Sequence, residues 1–218
     1  MRKVFVMCIF FALCKGYAFS QAKESLFVTL SPVIMLTTDS VSAPSPVSYS
    51  LGVGYTFPLY NDFFIQCQSS FFTQYYLLDD DKAKAAEIEN RTALAFCALP
   101  SVTLQWCAHE SEKHYVFVGG GASIFARYGI KANGVTGVEG EVKEINKWFY
   151  SSCNFFYPHI SFSYNRIFQT IIVGAEGRVY FPVGSFMSGE AFENTLIALS
   201  IKLAKKRNSF SQRAEEAE

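Results

Sequence analysis

His159-Ile160-Ser161 carries the residue types of an activated nucleophile. On an extended strand, a spacing of two puts the imidazole and the hydroxyl on one face. Glu176, on the next expected strand, shares that face. The base, nucleophile and orienting carboxylate of an acyl-transfer site are thus present in kind. The expected register separates them. Counting up from the turn at residues 165–167, His159 falls opposite about Val173, with Glu176 three residues further up. The cluster then reads as a plug of satisfied polar side chains near the turn end of a narrow lumen.

The other chemical motifs are incomplete. His109-Glu110-Ser111-Glu112-Lys113-His114 opens like a zinc-peptidase motif, but HExxH needs its second His at position 113, which is Lys, and needs a helix. Gly119-Gly120-Gly121 lacks the Lys-Ser/Thr of a phosphate loop and lies inside a strand, where glycines relieve crowding. Asp79-Asp80-Asp81 reads as the start of a solvated loop. Asn90-Arg91-Thr92 matches a glycosylation sequon that acts only in a eukaryotic secretory chain. No metal and no cofactor is expected.

The elements that hold these residues are strands. In residues 47–59, the positions Val47, Tyr49, Leu51, Val53, Tyr55, Phe57 and Leu59 alternate with Ser48, Ser50, Gly52, Gly54, Thr56 and Pro58. One face is apolar and aromatic, the other small and polar. The same period recurs in residues 26–37, 63–78, 92–106, 114–130, 148–164, 168–183 and 193–203. Eight strands result, the sixth patterned only in its second half. Residues 79–90 are charged and Ala-rich, the composition of a short helix in a long loop; residues 131–147 read as a second long loop. The connections alternate long and short throughout, as in up-and-down outer-membrane barrels, with both termini on the periplasmic side. The expected fold is all-β, an eight-stranded antiparallel transmembrane β-barrel.

Composition agrees with export and with a membrane. Arg2 and Lys3 precede the apolar run VFVMCIFFAL, and Ala18-Phe19-Ser20 offers a cleavage site after Ser20. The chain then divides into a signal peptide at residues 1–20, a barrel at 21–208 and a polar tail at 209–218. Lipoprotein processing at Cys14 stays open as a second route, although Leu13 before it is larger than a lipobox favours. Charged residues make up 17% of the 218, below the roughly 25% of soluble domains, and basic and acidic residues balance at 19 each. Nothing points to nucleic acid. Beyond the signal, Cys67 faces the apolar side while Cys97, Cys107 and Cys153 face the other, which suits packing residues rather than disulfides.

Alternation alone does not decide which face meets lipid, because a soluble lipocalin-type barrel alternates too. Three features favour apolar side outward. The other face is Gly, Ser, Thr, Ala and Gln, small enough for a narrow interior. Tyr49, Tyr128, Trp148 and Phe181 fall near the outer strand ends and Phe57, Trp106 and Tyr164 near the inner ends, as two interfacial girdles. The charges on the polar face, Arg127, Glu176, Arg178 and Lys202, can pair across a lumen. His159 joins them as a polar lumen residue.

With this strand count, loop rhythm and girdle layout, residues 26–203 resemble the small outer-membrane barrels of the OmpW/OprG and OmpX/OmpA kind. The Phe-, Tyr-, Cys- and Ser-rich style is most similar to the eight-stranded barrels of spirochaetes, treponemes in particular. The resemblance implies an integral outer-membrane surface antigen. Its partners would be the lipid bilayer, the barrel-assembly machinery, and small hydrophobic solutes or host surface molecules. OmpW-like members are proposed to pass small hydrophobic molecules through a narrow, laterally open barrel. Small outer-membrane lipid A deacylases are eight-stranded barrels with catalytic residues similar in kind to His159, Ser161 and Glu176, so a lipid-modifying enzyme is the third function implied. One departure concerns assembly. Such barrels usually end on an aromatic, whereas here the last strand runs into Lys205-Lys206-Arg207, and Phe210 is followed by eight further residues.

Overall fold

The computed structural model describes residues 24–37, 46–60, 62–79, 81–87, 93–132, 139–190 and 192–206. The expected signal peptide, the expected polar tail with Phe210, the expected loop at residues 38–45, Asp80 and the sequon at residues 90–92 lie outside them. Ten strands form: β1 (Glu24–Met35), β2 (Val47–Tyr60), β3 (Phe63–Asp79), β4 (Lys82–Ala86), β5 (Ala93–Glu110), β6 (His114–Ile124), β7 (Ala126–Ala132), β8 (Phe156–Ile167), β9 (Ile171–Tyr180) and β10 (Leu196–Lys206). Among the described residues two helices join them, α1 (Glu139–Phe149) and α2 (Val183–Met187).

Every pairing is antiparallel, and β1 closes the sheet against β10 with Leu30 opposite Ile201. β6 and β7 both pair with β5 and are separated by Phe125, so together they make one interrupted stave. The wall therefore has eight staves. Closure leaves no edge in the wall, the condition for a sheet to cross a bilayer. Short turns follow β2, β5 and β8; long connections follow β1, β3, β7 and β9 at the other end. Glu24 and Lys206 are paired, so the chain enters and leaves at the short-turn end.

Alternation in the sequence becomes burial. On β2, Ser50, Gly52, Gly54 and Thr56 are buried while Tyr49, Leu51, Val53 and Phe57 are exposed or half-exposed. The interior has three storeys. The outer storey is apolar, with Val33, Met35, Phe72, Leu99, Phe125, Tyr157 and Leu196 among its members. The middle is polar. The inner storey is apolar again, built on Phe27, Phe64, Tyr115, Phe117 and Ile172.

Several expectations need correction. Residues 79–90 hold no helix among their described part: Lys82–Ala86 is a strand that pairs with Tyr75–Asp79 of β3. Small Ala83, Ala85 and Ala86 are buried over the mouth, while Lys82 and Lys84 beside them stay partly exposed. The supposed loop at residues 131–147 contains most of α1, whose Ile145 and Phe149 pack into the outer storey. The sixth expected strand begins at Phe156 rather than at residue 148, because Trp148 belongs to that helix. Of the described cysteines, Cys97 is buried in the interior and Cys107, half-buried at a bulge beside the short turn, packs on the inner apolar storey as its parity predicts, whereas Cys153 is exposed in the turn before β8 rather than on a strand face. All four are free thiols.

Candidate functional site

The middle storey brings together the charged residues that the sequence singles out. Glu176 accepts from the Nε of Arg178 on the same strand, two residues away. Arg178 Nη1 also donates to Ser101 Oγ at 3.0 Å, on β5 across the lumen. Gln66 Nε2 donates to Glu176 Oε2 at 3.4 Å from β3, and Gln105 Nε2 donates to Gln66 Oε1. Gln68 Nε2 continues the network to Thr29 and Ser70. The lumen at this level is thus crossed by hydrogen bonds between facing walls. The pairing runs along one strand as well as across the lumen, because side chains at i and i+2 on a strand share a face. Lys202 is buried with its Nζ 4.3 Å from the centre of the Phe27 ring.

His159 is also inside, but not in a triad. Its Nε2 lies 2.8 Å from Thr103 Oγ1 and its Nδ1 2.9 Å from Ser123 Oγ, so both ring nitrogens are engaged by hydroxyls of other strands. The expected register is wrong here. His159 pairs with Tyr180, while Glu176 pairs with Ser163, four residues further down β8. The physical reason is the turn: Ile167 pairs with Ile172 across residues 168–171, and in an antiparallel hairpin that pair fixes all the others. His159 therefore sits near the outer start of β8, not near the turn.

Arg127 is placed differently from the other lumen charges. It is only 1% exposed. Its guanidinium carbon lies 4.4 Å from the centre of the Phe149 ring, 4.5 Å from Phe125, 5.4 Å from Trp148 and 5.7 Å from Tyr76. Nη2 donates to the Asn154 carbonyl at 2.7 Å. No carboxylate joins it in a salt bridge among the described residues. This cage was not legible in the sequence, where Trp148 reads as an interfacial residue. Instead Trp148 is half-buried on α1, facing Arg127. Strand parity still holds a signal for the inner aromatics: Phe27, Phe64 and Phe117 occupy inward positions in their strands.

The remaining girdle residues lie on the outside. Tyr49 is 74% exposed, and Tyr128, Trp106, Tyr164 and Phe57 are exposed as well. Phe181 lies one residue past β9, half-buried, its ring centre 6.4 Å from that of Phe186 on α2. Between the girdles the outward positions are mostly apolar, for example Leu30, Leu51, Val102, Ile160 and Leu199, with Ser69 and Thr73 of β3 as polar exceptions. Arg127, Glu176, Arg178 and Lys202 all point inward.

A roof covers the outer mouth. The β3–β4 hairpin lies over it, held by Gln74, whose Nε2 donates to the Ala86 carbonyl at 3.2 Å and whose Oε1 accepts from Ser48 at 2.5 Å. α1 is tied to the wall by Asn146, which brackets the Gly129 peptide. Lys82 on the hairpin pairs with Glu190 on the β9–β10 connection.

A closed wall, an apolar exterior between aromatic rims and a polar filled interior define a membrane-spanning β-barrel, with the short-turn and long-connection ends of the outer-membrane type. No family model and no curated protein matches the chain. Among solved structures it is similar to Neisserial surface protein A (NspA), at 9% identity over 84% of this chain and 97% of that one, with a TM-score of 0.49. It is similar to the outer membrane protein OprG from Pseudomonas aeruginosa, at 8% identity over 84% and 94% of the chains, with a TM-score of 0.46. Ail, the attachment invasion locus protein of Yersinia pestis, aligns at 6% identity over 85% and 97%, with a TM-score of 0.43.

Proposed function

We propose that the chain is an outer-membrane surface protein that acts through the segments above its outer mouth, the barrel serving as their anchor. The observation that carries this reading is the filled lumen. The middle storey is bridged wall to wall through Gln66–Glu176 and Arg178–Ser101, and aromatic storeys lie on both sides of it. A solute path through the centre would have to break a buried ion pair and displace both apolar layers. The outer segments, by contrast, have built structure of their own: a strand hairpin, a helix and an ion pair between separate connections. Their partners are host or neighbouring cell-surface molecules. The test has two arms. Purified protein in planar bilayers should give no conductance steps, and cells displaying the barrel should lose surface binding when residues 139–155 are replaced by a short turn. Conductance in the first arm, or binding unaffected in the second, sinks the reading.

One observation favours a second reading, a route for small hydrophobic solutes through the wall. Between the Ala98–Ala126 and Ser101–Ser123 pairs, Leu99 and Pro100 of β5 face no ladder partner in β6 or β7. Pro100 has no N–H to give. Outside this gap runs an apolar groove of about 710 Å³, lined by Val53, Cys67, Pro100, Val102 and Ile124 among others. Behind it lies the apolar outer storey. A cross-strand disulfide between Ala98→Cys and Ala126→Cys should abolish uptake of a hydrophobic dye into proteoliposomes, and reduction should restore it. Dye uptake equal with and without the staple removes this reading.

Enzymatic action on lipid is not proposed. His159 is hydrogen-bonded to Thr103 and Ser123, and among the described residues nothing joins it to Ser161 or Glu176 as an activated nucleophile would require. His159→Ala should leave the lipid A profile unchanged by mass spectrometry.

A further inference from the structure

Arg127 poses a chemical question that the anchoring role leaves open. A guanidinium taken out of water needs compensating charge or hydrogen bonds. Here four aromatic rings, one carbonyl and the Tyr76 hydroxyl supply part of that. Beyond these contacts, neither Nε nor Nη1 has a further hydrogen-bond partner and Arg127 forms no salt bridge among the described residues. If the position served packing alone, an unbranched apolar side chain such as Met would fill it without that cost. The guanidinium is also a planar fork suited to a carboxylate.

Its surroundings define the rest of the ligand. Arg127 stands above an apolar cup made by Phe72, Leu99, Phe125 and Tyr157 inside the wall. Beside Ala83 and Ala85 of β4, the cup is filled from above by Ile145 and Phe149 of α1, a single helix held to the wall strand by Asn146 and, just beyond its end, by the Tyr150 hydroxyl on the Arg127 carbonyl. The same helix brings Phe149 and Trp148 onto the guanidinium. A molecule able to replace α1 must therefore be apolar along its length and anionic at one end.

We propose that Arg127 is the anion-recognition point of a binding site for an amphiphilic carboxylate, with α1 as a roof that occupies the cup when the site is empty. The inference goes beyond the anchoring role and does not depend on it. Binding lifts Ile145 and Phe149, exchanges the ring contacts of Arg127 for a bidentate carboxylate, and moves Trp148 away from the guanidinium. Outer-segment shape then depends on the ligand.

Trp148 reports on this directly, since Trp106 is the only other tryptophan in the chain. The full barrel carrying Trp106→Phe, in lipid nanodiscs, is titrated with decanoate, decanol and 10-bromodecanoate, with nanodiscs lacking protein as the partition blank. Decanoate should change Trp148 emission saturably, and decanol should need at least tenfold more. The bromo acid should quench Trp148 over the same range as decanoate. Arg127→Gln should lose the carboxylate preference, and Arg127→Lys should keep part of it. Equal responses to acid and alcohol overturn the proposal, as does an unchanged preference in a folded Arg127→Gln barrel. Should that variant not fold, the bromo acid arm decides: quenching that only tracks bulk partitioning overturns it.

Discussion

Glu176 and Arg178 sit two residues apart on one strand and point into the same narrow lumen, where both are buried. Removing one member of such a pair leaves the other charge stranded among the Gln66 and Ser101 contacts. Arg178→Met should therefore destabilise the barrel by about 3–5 kcal/mol, read as a lowered urea midpoint in lipid vesicles. The double variant with Glu176→Leu should recover much of that loss, because it removes the stranded carboxylate. A double variant no more stable than the single one would mean that the pair is not the interaction lost. The sequence made these residues visible as inward charges on one face. It did not reveal their partners, because Gln66, Gln105 and Ser101 are brought opposite only by closure of the wall. Arg127 was harder still, since its cage depends on a helix that the composition of residues 131–147 presents as loop.

At the scale of the element, strand parity carries most of what was legible. On β5, Leu94, Phe96, Val102, Leu104 and Trp106 face outward as their spacing requires, and Ala95, Cys97, Thr103 and Gln105 face inward. Parity survives because a slip of one residue would put every apolar side chain in the lumen. It says nothing about where a strand stops, so the starts of β8 and β10 and the existence of β4 were beyond it. The triple glycine of β6 shows parity acting on single atoms. A Cβ on Gly119, which faces the lumen, would lie 2.7 Å from the Leu104 carbonyl and 2.9 Å from Ser161 Oγ. On Gly120, which faces lipid, it would meet only the His159 carbonyl at 3.6 Å. Gly119→Ala should cost about 1–3 kcal/mol by overpacking. Gly120→Ala should change stability by less than about 0.5 kcal/mol. Paired urea titrations check this, and equal effects would contradict the assignment of faces on β6.

The whole molecule is organised by an inversion: apolar atoms outside, charges inside. A soluble barrel reverses this, so the two alternatives differ in how they treat a charge on the outer surface. Leu51 pairs with Leu30 and Phe71 at the middle of the wall, whereas Tyr49 sits two residues nearer the long connections. Both are well exposed, at 63% and 74%. In water, a Lys at either position would be nearly free of cost. In a bilayer the penalty follows depth, because the ammonium at mid-wall must leave the headgroup region or drag water inward. Leu51→Lys should lower the unfolding free energy in lipid vesicles by about 2–4 kcal/mol, and Tyr49→Lys by about 0–1 kcal/mol beyond the loss of its ring. The same pair measured in thicker and thinner bilayers should diverge for Tyr49→Lys, whose distance to the headgroups changes in relative terms, more than for Leu51→Lys. Two equal, small penalties would mean that the apolar exterior does not face hydrocarbon, and the membrane assignment would fall with them.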